Sequence, residues 1–215
     1  MGKIVLATII ISGSAKWLLK VGGNKEKWYG SDRIFMYVMT VFGAMTVNYS
    51  EQCTEYGWVV SNLRLLAGCL LAGGLLSAAY MDRRNCWVYN YVWWWCLPWA
   101  GILGMTAGGE FSGIVAVLVF VMLQQLLFSR MYGKADCHAF SVCALAECGN
   151  AVGMVGFLLQ MFLSVVLLTI VQLFRGNVTP RGRLREPQPF IPYIITAFFS
   201  VTVLESVFRT TYIYA

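Results

Sequence analysis

Two aspartates stand at the edges of long apolar runs, where an ionisable side chain is costly. Asp82 directly follows the apolar run 65–81, and Asp136 opens a later apolar run just after Gly133-Lys134-Ala135. An ionisable residue at the end of a membrane-embedded helix is by default a functional hypothesis. Two carboxylates in one poorly hydrated site share a proton. The ionised carboxylate then takes a proton from water and the protonated one donates to a carbonyl oxygen, which is the chemistry that peptide hydrolysis needs.

Other reactive arrangements are disfavoured. The sole histidine, His138, is almost adjacent to Asp136, which leaves no separate Ser/His/Asp set. Cys137 and His138 make a poor thiol dyad because neighbouring residues on a helix point in different directions. The seven cysteines are scattered and form no Cys-x-x-Cys pair, a pattern that predicts no metal site. We expect no cofactor.

The two aspartates also have a purely structural interpretation. Asp82 would then be a helix-end residue compensated by Arg83 and Arg84. Asp136 would be an N-cap or first-turn residue of its helix, stabilised by the helix dipole. Position and spacing alone leave both interpretations open.

The composition places these residues in a membrane protein. The chain is 59% hydrophobic and 12% charged, with a mean hydropathy of +0.66, whereas a soluble domain is about 25% charged. Its apolar runs are long and continuous, which favours spanning helices over a barrel. The net charge of +6 comes without a dense basic stripe, so nucleic-acid binding is not expected. We predict an all-α bundle in which residues 1–215 form a single membrane domain within the lipid bilayer.

About eight apolar segments position the aspartates. The run 137–174 is too long for one span, and Glu147, Gly149 and Asn150 predict a turn within it. The predicted segments are 4–19, 35–49, 58–81, 87–107, 113–129, 137–149, 151–174 and 190–209.

The basic residues predict the orientation. With eight segments, 13 of the 16 Lys and Arg residues fall on one side, and only Lys3, Arg64 and Arg209 on the other. Positive loops stay in the cytoplasm, so both termini are expected outside a plasma membrane and both aspartates at its cytoplasmic face. The first segment is predicted to remain uncleaved, because signal-peptide cleavage would leave the basic stretch 16–33 outside.

Three short stretches resemble one family. The first stretch is Met81-Asp82-Arg83-Arg84-Asn85-Cys86-Trp87-Val88-Tyr89-Asn90. It keeps the spacing of the first signature of type IV prepilin peptidases at Asp82, Arg84 and Asn90, with Val88-Tyr89 in place of Ile-Pro. Tyr132-Gly133-Lys134-Ala135-Asp136 resembles their Gly-x-Gly-Asp signature, with Ala135 for the second Gly. Pro187-Gln188-Pro189-Phe190-Ile191-Pro192-Tyr193 is similar to the Pro-Phe-x-Pro-Phe stretch that begins their last helix.

The resemblance covers about 58–209, the predicted peptidase-like core. It implies an aspartic-type endopeptidase with Asp82 and Asp136 as the dyad, which removes the basic leader of prepilin-like precursors in type IV pilus assembly or protein secretion. Possible orienting or substrate-contacting residues are Arg83, Arg84, Asn90, Gly133 and Lys134. Larger members of that family carry a zinc-binding insert with Cys-x-x-Cys pairs and methylate the new N-terminus. This chain lacks those cysteines, so no methyltransferase activity is expected. The alternatives are an inactive membrane assembly component and a small proton-coupled transporter. The sequence leaves the oligomeric state open.

Overall fold

All regular secondary structure in the described part of the chain is helical. The computed structural model describes residues 2–23, 30–52, 57–107, 111–127, 129, 133–148, 153–176 and 188–213. Its elements are α1 (Gly2–Val21), α2 (Gly30–Gln52), α3 (Trp58–Asn85), α4 (Asn90–Thr106), α5 (Phe111–Leu126), α6 (Lys134–Glu147), α7 (Gly153–Phe174) and α8 (Ile191–Ile213). Each predicted apolar segment coincides with one helix, and the all-α prediction is confirmed. Helix α6 ends at Glu147 and α7 begins at Gly153; Gly149 and Asn150 of the predicted turn lie outside the described residues.

Four of these helices are long and apolar enough to cross a membrane: α1, α3, α7 and α8. Much of the outer surface is apolar as well, including Phe162 and Phe174 on α7 and Trp94 on α4. Such a surface needs a non-aqueous environment. The chain is therefore a helical membrane protein.

Helix α3 lies at the centre of the first four helices and depends on close packing. It packs against α1, α2, α4 and α8, while α6 packs against α4, α5, α7 and α8. A Cβ on Gly73 would overlap the Ser14 hydroxyl of α1, and a Cβ on Gly74 would overlap the Cys96 thiol of α4. Small residues let helices approach closely where lipid supplies no hydrophobic drive for association. Because α4 and α8 contact both α3 and α6, they fix the two aspartate-bearing helices relative to each other.

A tight connection joins α3 to α4. Cys86 adopts a left-handed conformation with φ of 50° and donates its backbone N–H to the Asp82 carbonyl at 2.8 Å. This is the usual way for a helix to end. Val88 is then buried in the core, and Tyr89 precedes the first residue of α4 in an extended conformation. The chain thus reverses direction within a few residues of Asp82.

Candidate active site

A single cavity brings Asp82 and Asp136 together. Its volume is about 560 Å³, and it lies between the C-terminal end of α3 and the first turns of α4 and α6. The lining residues are Asp82, Cys86, Trp87, Val88, Asn90, Trp93, Gly133, Lys134, Ala135, Asp136, His138 and Gln188. The two aspartates are 54 positions apart in the sequence, so the fold alone creates this proximity.

The Asp82 carboxylate is held by the beginning of another helix. Asp82 is only 6% exposed. The backbone N–H of Ile191, the first residue of α8, donates to Asp82 Oδ2 at 3.0 Å, and the backbone of Phe190 makes a further hydrogen bond to the carboxylate. Phe190 is buried and packs edge-to-face against Phe140 of α6, with ring centroids 5.8 Å apart. Free N–H groups at a helix start can hold an anion, so these hydrogen bonds orient the Asp82 carboxylate.

Asp136 lies in the first turn of α6. Its Oδ2 accepts a hydrogen bond from the Gly133 N–H at 3.2 Å, which satisfies one of the free donors at the start of that helix. Burial and, to a smaller extent, the nearby charge of Asp82 together raise the pKa of Asp136 from its usual 3.8 to about 7, and the Gly133 hydrogen bond partly opposes the rise. Asp136 therefore holds a proton near neutral pH, as one member of a proton-sharing pair would.

Gly133 has a steric reason to be a glycine. A Cβ at this position would lie 3.1 Å from Asp136 Oδ2, closer than an unstrained contact between these atoms. The absence of that atom lets the Gly133 backbone approach the carboxylate it hydrogen-bonds. Ala135, where the resembled signature has a second glycine, lines the same cavity and is partly buried.

The other predicted site residues divide into two groups. Asn90, the first residue of α4, and Lys134, the first of α6, are exposed and line the cavity beside the aspartates. Arg83 and Arg84 are not among the lining residues and reach α2. Their Nε atoms lie 3.4 and 3.5 Å from the two carboxylate oxygens of Asp32.

Both arginines contact the same carboxylate. Asp32 is in the first turn of α2, is only 9% exposed, and bridges Arg83 and Arg84 at the end of α3. Arg83 also lies 5.0 Å from the centre of the Phe35 ring. This cluster anchors the segment that carries Asp82 to α2.

Trp93 and His138 are among the cavity residues that were not predicted as part of the site. Trp93 is buried in the cavity wall, with its ring centroid 6.0 Å from that of His138. Its position three residues after Asn90, on the same helical face, is the sequence signal that would have identified it. His138 also lines the cavity, and its Nδ1 is 3.5 Å from the amide nitrogen of Gln125.

Tyr89 replaces the proline of the resembled signature without changing the backbone there. Its φ of −73° and ψ of 142° fall in the range that proline adopts. The first turn of α4 therefore starts in the conformation that a proline would impose. Tyr132 and Pro187, which belong to the other two stretches, lie outside the described residues.

No protein-family model, curated protein or solved structure matches this chain at a significant level.

Proposed function

We propose that this protein is a membrane-embedded aspartyl endopeptidase that removes the leader of prepilin-like precursors at the cytoplasmic membrane face. The observation that carries the proposal is the shared cavity, in which two largely buried carboxylates face the same space. The resemblance of the stretches around Asp82 and Asp136 to the prepilin peptidase signatures supports the choice of substrate. The proposal includes eight spans in a plasma membrane, both termini outside and no methyltransferase activity.

The hydrogen bonds suggest a division of roles between the aspartates. Asp82, which accepts backbone hydrogen bonds from Ile191 and Phe190, serves as the ionised base. Asp136, whose pKa is about 7, carries the shared proton. Asp82 takes a proton from a water molecule whose oxygen adds to the scissile carbonyl carbon, and Asp136 gives its proton to the carbonyl oxygen.

Collapse of the tetrahedral intermediate completes the reaction. The carbon–nitrogen bond breaks, the leaving nitrogen takes the proton held by Asp82, and the intermediate's hydroxyl returns its proton to Asp136. Both aspartates thus regain their starting protonation states. Asn90 and Lys134 flank this space and are placed to contact the extended backbone of a bound substrate.

Leader removal from a co-expressed precursor tests the proposal. The wild type is expected to shorten a prepilin-like substrate, and Asp82→Asn and Asp136→Asn each to abolish the shortening. Asp32→Asn is the matched control, because it makes the same chemical change in a buried aspartate outside the cavity. It is expected to retain cleavage at a temperature where the variant is folded.

Other outcomes assign other functions. If the folded wild type cleaves no such substrate in a strain lacking other prepilin peptidases, a non-catalytic role in holding pilin-like helices for assembly replaces the proposal. If liposomes show solute flux driven by a proton gradient and abolished by Asp136→Asn, the aspartates are proton sites of a transporter. If cleavage persists in both cavity variants, the dyad is not the catalytic group.

A further inference from the structure

A short series of hydrogen bonds connects the backbone of α6 to one wall of the active-site cavity. Ser141 on α6 donates its hydroxyl proton to the Cys137 carbonyl at 2.8 Å, a bond that serine often makes within its own helix. The other acceptor near this hydroxyl is Gln124 Oε1, at 3.4 Å. A hydroxyl has a single proton, so the Ser141 oxygen has only lone pairs left for any further neighbour.

That further neighbour is Gln125 on α5, whose Nε2 lies 3.1 Å from Ser141 Oγ. Because the Ser141 proton is already used, Gln125 must present its NH₂ group to the serine rather than its carbonyl oxygen. The same nitrogen lies 3.5 Å from Nδ1 of His138, and it carries a second N–H group. Ser141 therefore fixes which end of the Gln125 amide faces the histidine.

The Gln125 amide determines which nitrogen of the His138 ring carries a proton. An NH₂ group only donates, so Nδ1 accepts through its lone pair and is unprotonated. The proton of the neutral ring is then on Nε2. His138 lines the active-site cavity, whereas Gln125 is not among the lining residues. Nδ1 is thus engaged outside the cavity lining, and the Nε2–H group is the polar part of the ring left to face the cavity.

Trp93 supports the His138 ring from α4. Its side chain is buried, and its ring centroid lies 6.0 Å from that of the imidazole, within the range of favourable aromatic pairs. A ring placed between an amide and an indole loses little freedom when a ligand binds. This wall of the cavity therefore offers one preoriented, uncharged hydrogen-bond donor.

An uncharged donor suits an uncharged acceptor, and the main-chain carbonyls of an extended peptide are acceptors of this kind. His138 follows Asp136 by two positions on α6, so the two side chains leave the helix in different directions. The carbonyl that His138 contacts is therefore a neighbour of the scissile one. We propose that His138 is a substrate-binding residue whose Nε2–H group donates to a main-chain carbonyl oxygen of the bound precursor. This role rests on the proposed function, because it requires a peptide in the cavity.

Nitrogen-15 NMR tests the protonation of the ring directly. His138 is the only histidine of the chain, so protein labelled with ¹⁵N-histidine and purified in detergent through a histidine-free tag gives the signals of this ring alone. Correlation to the ring carbon-bound protons assigns Nδ1 and Nε2. At pH 7.5 we expect a protonated Nε2 and an unprotonated Nδ1.

Two glutamine variants test the cause of this protonation. Gln125→Leu removes the donor to Nδ1, and the two neutral forms of the ring are expected to mix, so that both nitrogen signals move towards an averaged position. Gln124→Leu is the matched control: it makes the same chemical change at the next residue of α5, which contacts Ser141, and it is expected to leave the spectrum unchanged. A proton on Nδ1 in the wild type, or an unchanged spectrum in Gln125→Leu, would overturn the inference.

Cleavage kinetics with a purified prepilin-like precursor test the contact with substrate. His138→Phe keeps a ring without the donor, and we expect KM to rise about 3- to 10-fold, the loss of one neutral hydrogen bond, with little change in kcat, because the contact is made equally before and during the reaction. His138→Gln retains an N–H group near the position of Nε2 and is expected to restore most of the affinity. An unchanged KM in His138→Phe, or an equal rise in both variants, would contradict the role.

These outcomes separate the role of His138 from the peptidase function. A wild type that cleaves normally beside an unaffected His138→Phe overturns only the role of His138, whereas a wild type that cleaves no precursor overturns both. If His138→Phe does not fold, precursor is added to labelled Asp82→Asn protein, which is expected to bind the substrate without cleaving it. The Nε2 signal should then shift, and a signal that stays in place under saturating precursor would overturn the role.

Discussion

The most direct physical test of the aspartate pair is the effect of Asp136→Asn on stability as a function of pH. The pKa of Asp136 is raised from its usual 3.8 to about 7 by burial and by the charge of Asp82. The folded protein thus binds this proton more tightly than the unfolded chain does. The sign follows from proton linkage: the contribution of Asp136 to stability is most favourable below about pH 4, and it is lost as pH rises towards and through 7.

The magnitude follows from the same two values. Between 3.8 and about 7, each pH unit changes the folding free energy by about 1.4 kcal/mol, so ionised Asp136 destabilises the fold by roughly 4 kcal/mol. An asparagine in this position keeps the shape without the charge. We therefore expect Asp136→Asn to melt on the order of 10 °C higher than the wild type at pH 8.5, with a much smaller difference near pH 4.

The assay is tryptophan fluorescence melting in detergent between pH 4 and pH 9, for the wild type and for Asp136→Asn. Ser141→Ala is the control on the same helix: it removes hydrogen bonds to Gln124 and the Cys137 carbonyl but no titrating group. Its melting temperature is expected to differ from that of the wild type by the same amount at every pH. If the difference between Asp136→Asn and the wild type also stays constant with pH, the pKa of Asp136 is not raised in the folded protein, and the reasoning fails.

Three further predictions concern neighbouring positions. Gly133→Ala places a Cβ 3.1 Å from Asp136 Oδ2. The displaced carboxylate is expected to lower the cleavage rate about tenfold at unchanged expression. An unchanged rate would show that the close approach has no role. Tyr89→Pro matches the existing φ of −73°, and the gain in backbone rigidity offsets the lost aromatic stacking. We therefore expect a melting temperature within about 2 °C of the wild type and retained cleavage. A much lower melting temperature or a large loss of cleavage would contradict this. Asp32→Asn breaks both arginine contacts and is expected to lower the free energy of unfolding by about 1–3 kcal/mol. In denaturant titration this loss should exceed the loss on replacing either arginine alone. An equal loss would mean that only one ion pair contributes.

The helices were predictable because a helix in a membrane needs a long apolar segment, which is visible in the sequence. Each apolar run gave one helix, including the split near Glu147, because a span needs a minimum apolar length. The common location of Asp82 and Asp136 followed from the order of the segments, since an even number of antiparallel helices returns the chain to the same side. This part of the site needed no side-chain information.

The contacts between distant helices were not predictable in the same way. Asp32 is followed by Arg33 in a stretch that looks polar, and its partners are about 50 positions away. Glu147 suggested a turn, and only the fold shows that its side chain is buried within the helix bundle rather than exposed to water. The local sequence gives the polarity of such residues but not the surface against which they pack.

The structural interpretation of Asp82 as a simple helix-end residue is difficult to reconcile with its position. A carboxylate is stabilised at the start of a helix and destabilised at its end, and Asp82 lies in the last turn of α3. The arginines expected to compensate it there are both engaged by Asp32. Its donors come from the start of α8, 109 positions away, so the fold supplies from another helix what α3 cannot provide. Stability alone would favour an uncharged residue at this point, whereas a base beside a protonated Asp136 requires a carboxylate.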